Sequence, residues 1–317
     1  MLQITADVYS GRPNPTWLVT DDQEIRAALR ELSKNRTLVT ADASDTSGGL
    51  GELRGFHIEV QNDEVAKDYG LSPSLFLPLG SAISGHDLGE RLLALATPAA
   101  FVAAAADGGA EVEAPDPELL RRLLDQKFGR AGGHTVADSR GSPADADGPR
   151  DEGGAEVEAV QPAVTCFVEY SAYNPGFWNN NSHIRYNNNC YNYASNKRTD
   201  TFAQPGRGSG QMYTGINCAN VSAAALRDGL QRRYVCFPDH EKPRYLVALV
   251  IAPGPTIIDY HWYRRNSEGF WSHKPGGTAA RNVDNNNRVI TNPETCNRGP
   301  YTIFCGYFYT CRSQRIR

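Results

Sequence analysis

The sequence predicts an α+β protein built from two folding units, and three observations carry the prediction: length, an uneven distribution of charge and cysteine, and an order of helices before strands in the second half. At 317 residues the chain exceeds one typical domain and can enclose two cores. Residues 1–161 carry a net charge of −13 and residues 162–317 one of +9, so the total of −4 conceals a dipolar chain. All seven cysteines (Cys166, Cys190, Cys218, Cys236, Cys296, Cys305 and Cys311) lie in the second half. The expected divisions are an acidic N-terminal domain over 1–128, a disordered acidic linker over 129–161 and a basic, cysteine-rich domain over 162–317.

The first division reads as a separate, small α/β module. Leu2 to Tyr9 alternates like a strand, and Ser10-Gly11-Arg12-Pro13-Asn14-Pro15 is rich in turn residues, which suits a rigid surface turn better than a ligand-binding one. Thr20 stands three residues before Gln23, a capping box that opens a helix running to about Leu32. Phe56 to Val60 alternates as a second strand, and His86 to Ala96 and Pro117 to Lys127 have helical patterns. From Thr97 to about Val160 Ala, Gly, Asp, Glu and Pro dominate and aromatic residues nearly vanish, so outside the Pro117 helix little there can form a core.

The second division begins near Pro162. Thr165 to Tyr170 is strand-like, Asn174 to Asn189 reads as a long polar loop, and Cys190 to about Arg198 and Ala219 to Gln231 suit helices. Tyr245 to Ile251 is an uninterrupted apolar run between Pro243 and Pro253, the pattern of a buried strand. Ile257 to Arg264 and Gly269 to His273 form a hairpin about Asn266-Ser267-Glu268-Gly269, and Tyr301 to Tyr309 is the last strand.

Cys190 follows three asparagines and opens a helix. A thiolate is favoured at a helix N-terminus or beside a histidine, and the period of two places Asp259, His261 and Tyr263 on one face of their strand. His273, on the returning strand, lies within cross-strand reach. These positions define a candidate site with Cys190 as nucleophile and His261 and His273 as base and orienting group, with Tyr186, Asn188, Asn192 and Asp259 as oxyanion or substrate contacts.

A cysteine opening a helix, a buried strand, a histidine strand and a second histidine on the next strand resemble the NlpC-type papain-like cysteine peptidases over about residues 180–275. The resemblance implies a papain-like C-terminal domain, with Cys190, His261 and His273 in the three catalytic roles and a peptide or amide substrate. That family has Asp-Cys-Ser-Gly where this chain has Asn189-Cys190-Tyr191-Asn192, and small residues where it has Trp262-Tyr263. Asn189 to Tyr193 together with Thr201-Phe202-Ala203-Gln204-Pro205-Gly206 also resemble a motif of insoluble matrix proteins of mollusc shells and of bacterial relatives.

The leading expectation is therefore a thiol hydrolase or acyl-transferase. A metal-independent nuclease or nucleic-acid-binding module is the alternative, supported by the basic charge and by Arg185, Arg198, Arg207, Arg232, Arg233, Arg264 and Arg265 among many aromatic residues; a disulfide-stapled matrix protein is a third. An anionic polymer would suit the basic domain equally, and the acidic half could dock onto it within one chain. No Cys-x-x-Cys or His-x-x-x-His spacing points to zinc, and no phosphate loop or other cofactor motif stands out. Met1 to Asp7 has no signal-peptide pattern and no run is long enough for a membrane span, so the expected location is cytoplasmic, or outside by a signal-independent route.

Overall fold

A computed structural model of the chain describes residues 1–41, 48–80, 83–97, 100–101, 116–129, 168–232 and 238–317. Apart from Gly129, the acidic segment 129–161 lies outside these residues, as do Cys166, Arg233 and Cys236.

The first unit holds strands β1 (Leu2–Asp7), β2 (Thr16–Val19), β3 (Gly55–Val60) and β4 (Ser74–Pro78), with helices α1 (Asp22–Lys34), α2 (Asp63–Asp68), α3 (Ile83–Ala94) and α4 (Pro117–Lys127). The sheet order β2-β1-β3-β4 is antiparallel at every pair, so this unit is α+β rather than the α/β module the sequence suggests. Asp21 caps helix α1, its carboxylate accepting the amides of Gln23 and Glu24; the acidic cap displaces the expected Thr20 box by one residue. Leu2, Ile4, Ala6, Phe56, Ile58, Leu75 and Leu77 form the core with Leu29, Leu92 and Leu124 from the helices. The opposite face, with Thr5, Asp7, His57 and Phe76, meets the second unit, where the Tyr186 ring lies 4.1 Å from that of His57.

The second unit comprises α5 (Gly176–Asn179), α6 (Ser182–Asn187), α7 (Cys190–Ala194) and α8 (Cys218–Arg227), then β5 (Gln231–Arg232), β6 (Leu246–Pro253), β7 (Ile258–Arg265), β8 (Trp271–His273) and β9 (Ile303–Tyr309). Helices α5 and α6 occupy the segment read from sequence as a polar loop. The described end of the expected 165–170 strand joins no sheet: the Glu169 amide donates to the Arg244 carbonyl oxygen at 2.9 Å, and the next residues make a bridge from Ser171 to Asn266. The antiparallel sheet has the order β5-β9-β6-β7-β8.

Both faces of this sheet are covered, which explains the unbroken apolar run of β6. Val247, Leu249, Ile251, Tyr260, Trp262 and Phe308 pack under Cys190, Tyr191, Val221 and Ala224 from α7 and α8. Ala248, Val250, Ala252, Tyr263 and Tyr301 face the other way and join Leu50, Leu53 and Tyr9 of the first unit in one continuous core.

A bulge in β9 sets the disulfide. Leu249 pairs with Gly306 and Val250 with Phe304, leaving Cys305 as the extra residue, and Gly306 turns the chain at φ +119°, where a side chain would be strained. The interrupted period puts Phe304 against one core and Cys305 and Phe308 against the other, and Cys305 bonds to Cys218 at the start of α8, 87 residues away in sequence. Replacing both cysteines by alanine is expected to cost about 2–5 kcal/mol, read as a lower urea midpoint; an unchanged midpoint would mean that packing alone holds α8 to β9.

Candidate functional site

Helix α7 is a single capped turn. The Asn189 side chain accepts the amides of Tyr191 and Asn192, and the Asn192 side chain accepts the Asn189 amide in return. Cys190 is the first helical residue, but five residues give little macrodipole. Its side chain is sealed between α7 and β7, at 0 % exposure. Burial, with the Asp259 carboxylate adding to it, pushes the thiol well above its ordinary pKa.

His261 and His273 are brought together, and Cys190 is joined to neither. Tyr263 pairs with His273 across β7 and β8, and His261 Nε2 lies 2.8 Å from His273 Nδ1. His273 Nε2 lies 3.0 Å from the Val283 carbonyl oxygen and must donate to it. His273 Nδ1 is then the acceptor and His261 Nε2–H the donor, a tautomer assignment made from the hydrogen-bond network. Both rings are 0 % exposed, and His261 Nδ1 has no hydrogen-bond partner. Burial drives both imidazoles well below their ordinary pKa, with repulsion from His273 adding to the effect at His261 and from Arg281 at His273.

The reason for the separation is the strand's alternation. Tyr260 and Trp262 point to the α7 side with Cys190, whereas His261 packs on Tyr263, His273 and Tyr301 on the other face. No hydrogen bond links Cys190 to an imidazole among the described residues.

The remaining expected contacts are engaged within the protein. The Tyr186 ring packs against that of His57 at an inclined angle of 54°. Asn188 donates to Ile184 O at 2.7 Å and Asp200 Oδ1 at 2.6 Å, while its oxygen accepts the amides of Thr199 and Asp200. Asn192 donates to Lys197 O and Thr199 Oγ1 and accepts the amide of Ala203. Arg185 and Arg264, counted above as basic surface, are 3 % and 1 % exposed; Arg264 donates to Tyr193 O and Asn196 Oδ1, each at 2.8 Å.

Asp259, like Tyr186, reaches into the other unit. The carboxylate is buried, and Oδ2 accepts from the Ser10 amide at 2.6 Å, the Gly11 amide at 3.2 Å and Tyr301 Oη at 2.7 Å, while Oδ1 accepts the Arg12 amide at 3.0 Å. Burial raises its pKa, and these donors oppose the rise. The Gly11 carbonyl oxygen accepts from Asn189 Nδ2 at 2.8 Å, Gln204 Nε2 at 2.9 Å and Tyr260 Oη at 3.1 Å. Asn189 and Gln204 belong to the motif singled out from sequence, but they and Tyr260 were given no role; that motif and the turn at Gly11 were the available signals. Lys274, buried beside them, donates to the carbonyl oxygens of Arg185, Asn188 and Gly276, and burial holds its pKa well below the ordinary lysine value.

A cleft of about 260 Å³ lies elsewhere on the seam, lined by residues including His57, Ser72, Ser74, His183 and Tyr186 but not by Cys190, His261 or His273. His86, Glu90 and Asp125 place their ligand atoms within 4.8 Å of one another, and His86 Nε2 already lies 3.2 Å from Asp125 Oδ1. No helix among the described residues is long and apolar enough to cross a membrane.

Comparison with characterised proteins finds insoluble matrix shell protein 1 of Ruditapes philippinarum, 47 % identical over 147 residues, which are 46 % of this chain and 93 % of that protein. The chain belongs to this shell-matrix family. No family model matches it, and no solved structure matches it either. The match covers less than half of the present chain.

The neutral imidazoles give the fold a defined response to acid. Their folded pKa values lie below the unfolded value of about 6.5, so the unfolded chain binds more protons as pH falls, and stability is lost from about pH 7 downwards. Each imidazole contributes at most about 1.4 kcal/mol per pH unit. His261→Gln, which does not titrate, is expected to lose stability less steeply between pH 7 and 5.5 in urea titrations. Equal slopes for the two proteins would mean that His261 does not set the response.

Proposed function

We propose that the chain is a structural, matrix-type protein in which Cys190 serves packing rather than thiol chemistry. The observation that carries this reading is the plane of β7 between the thiol and both imidazoles. A cysteine nucleophile needs a populated thiolate and a base within hydrogen-bond reach; here burial keeps the thiol protonated and the histidines bond to each other. The family relative, itself an insoluble shell matrix protein, and the Cys218–Cys305 brace agree with this role.

The papain-like resemblance shares the order of helix before sheet. A thiol hydrolase on that plan would need an imidazole on the helix side of β7, where this chain has Tyr260 and Trp262.

Iodoacetamide labelling at near-neutral pH with peptide mapping tests the reading. Among the described free thiols Cys190, Cys296 and Cys311, Cys190 is expected to stay unmodified until the protein unfolds, with partly exposed Cys296 reacting ahead of it. Fast, selective labelling of Cys190 in the native protein would reinstate the thiol hydrolase.

A further inference from the structure

The Ser10-Gly11-Arg12 loop is held by the second unit through its main chain. Three successive amides close on the Asp259 carboxylate, a nest of N–H groups around an anion. The Gly11 carbonyl oxygen takes three side-chain donors, and the Ser10 carbonyl oxygen accepts the Gly276 amide at 3.1 Å. A Cβ on residue 11 would overlap the carbonyl oxygen and ring of Tyr260, so the seat selects glycine. Arg12 fixes the direction of the loop, donating from Nη1 to Ile258 O at 3.2 Å.

None of these contacts requires the loop and its seat to belong to the same chain. The 38 residues numbered 130–167 join the two units, and their fully extended reach is on the order of 100 Å. The opposite net charges of the two halves attract between copies as they do within one.

We propose that copies of this chain assemble by exchange, the first unit of one copy docking on the second unit of another with its Ser10-Gly11-Arg12 loop in the Asp259 seat. The idea rests on the matrix reading and gives it a means of assembly. Each copy carries one loop and one seat, so exchange can close into pairs or continue as an open chain. An exchanged contact repeats the contact made within one chain. Its cost is the freedom lost on joining two molecules, and its population therefore rises with concentration.

Two variants of the full chain test this. Gly11→Val destroys the loop and leaves the seat, whereas Asp259→Ala destroys the seat and leaves the loop. Each alone is expected to stay single-chain by light scattering, and an equimolar mixture to give a one-to-one pair with twice the mass. A mixture that stays single-chain, with both variants folded by circular dichroism, overturns the proposal. Should either variant fail to fold, the wild-type protein is unfolded in denaturant and refolded over a hundredfold range of concentration. The assembled fraction is expected to rise several-fold, and a constant fraction overturns exchange. Labelling of Cys190 is a separate readout, so loss of the matrix reading and loss of exchange are told apart.

Discussion

The buried carboxylate of Asp259 is the constraint around which the two units are arranged. An ionised carboxylate away from water is tolerated only where donors replace its hydration. Its own unit supplies one, Tyr301, and the other three come from the first unit. The loop that brings them is itself fixed beforehand. Asn14 accepts the amides of Val8 and Tyr9 at 3.0 and 2.7 Å, and Arg54, paired with Asp7 at 2.8 Å, donates to the Tyr9 carbonyl oxygen. Pro13 and Pro15 remove backbone freedom from the same turn. The arrangement is therefore prepaid in the first unit and completed by the second.

The sheet of the second unit acts as a partition. Because β6 and β7 are buried on both faces, each alternate residue is committed to one of two separate environments. The helix side holds Cys190 among apolar and aromatic groups, and the other side holds the histidine pair among Tyr263 and Tyr301. Moving an imidazole across would need a register shift of one residue, which would exchange every side chain of β7 between the faces. The bulge at Cys305 shows how the chain changes faces when it must: one added residue beside Gly306, stabilised by a covalent bond to α8.

This partition also explains what could be read from sequence. The hairpin of β7 and β8, its turn, and the grouping of Asp259, His261 and Tyr263 on one face follow from a period of two, and Pro117–Lys127 follows from its spacing and cap. Alternation says which residues share a face; it does not say which face a helix will cover. The placement of α7 depends on Tyr191 and Ala194 packing on Val247, Leu249 and Trp262, a contact between distant segments. Helices α5 and α6 escaped because short polar turns are set by local caps, here Asn181 accepting the Ile184 amide, rather than by apolar period. Strand β4 was hidden by its length and by Pro73 and Pro78.

The asparagine-rich run around Cys190 illustrates the same economy. A carboxamide is chemically a peptide group on a side chain, able to donate and accept at once. Asn188 and Asn192 use that capacity to pin the irregular backbone between Lys197 and Ala203, where no strand or helix could satisfy it. Asn189 differs: besides capping α7 it turns its Nδ2 to Gly11 of the first unit. With Gln204, Tyr260 and Asp259 it forms a cluster in the second unit whose polar atoms are completed by a segment from outside that unit. The second unit's side-chain donors thus converge on the main chain of the first unit at Gly11, and one of them, Asn189, is the residue next to the buried thiol of Cys190.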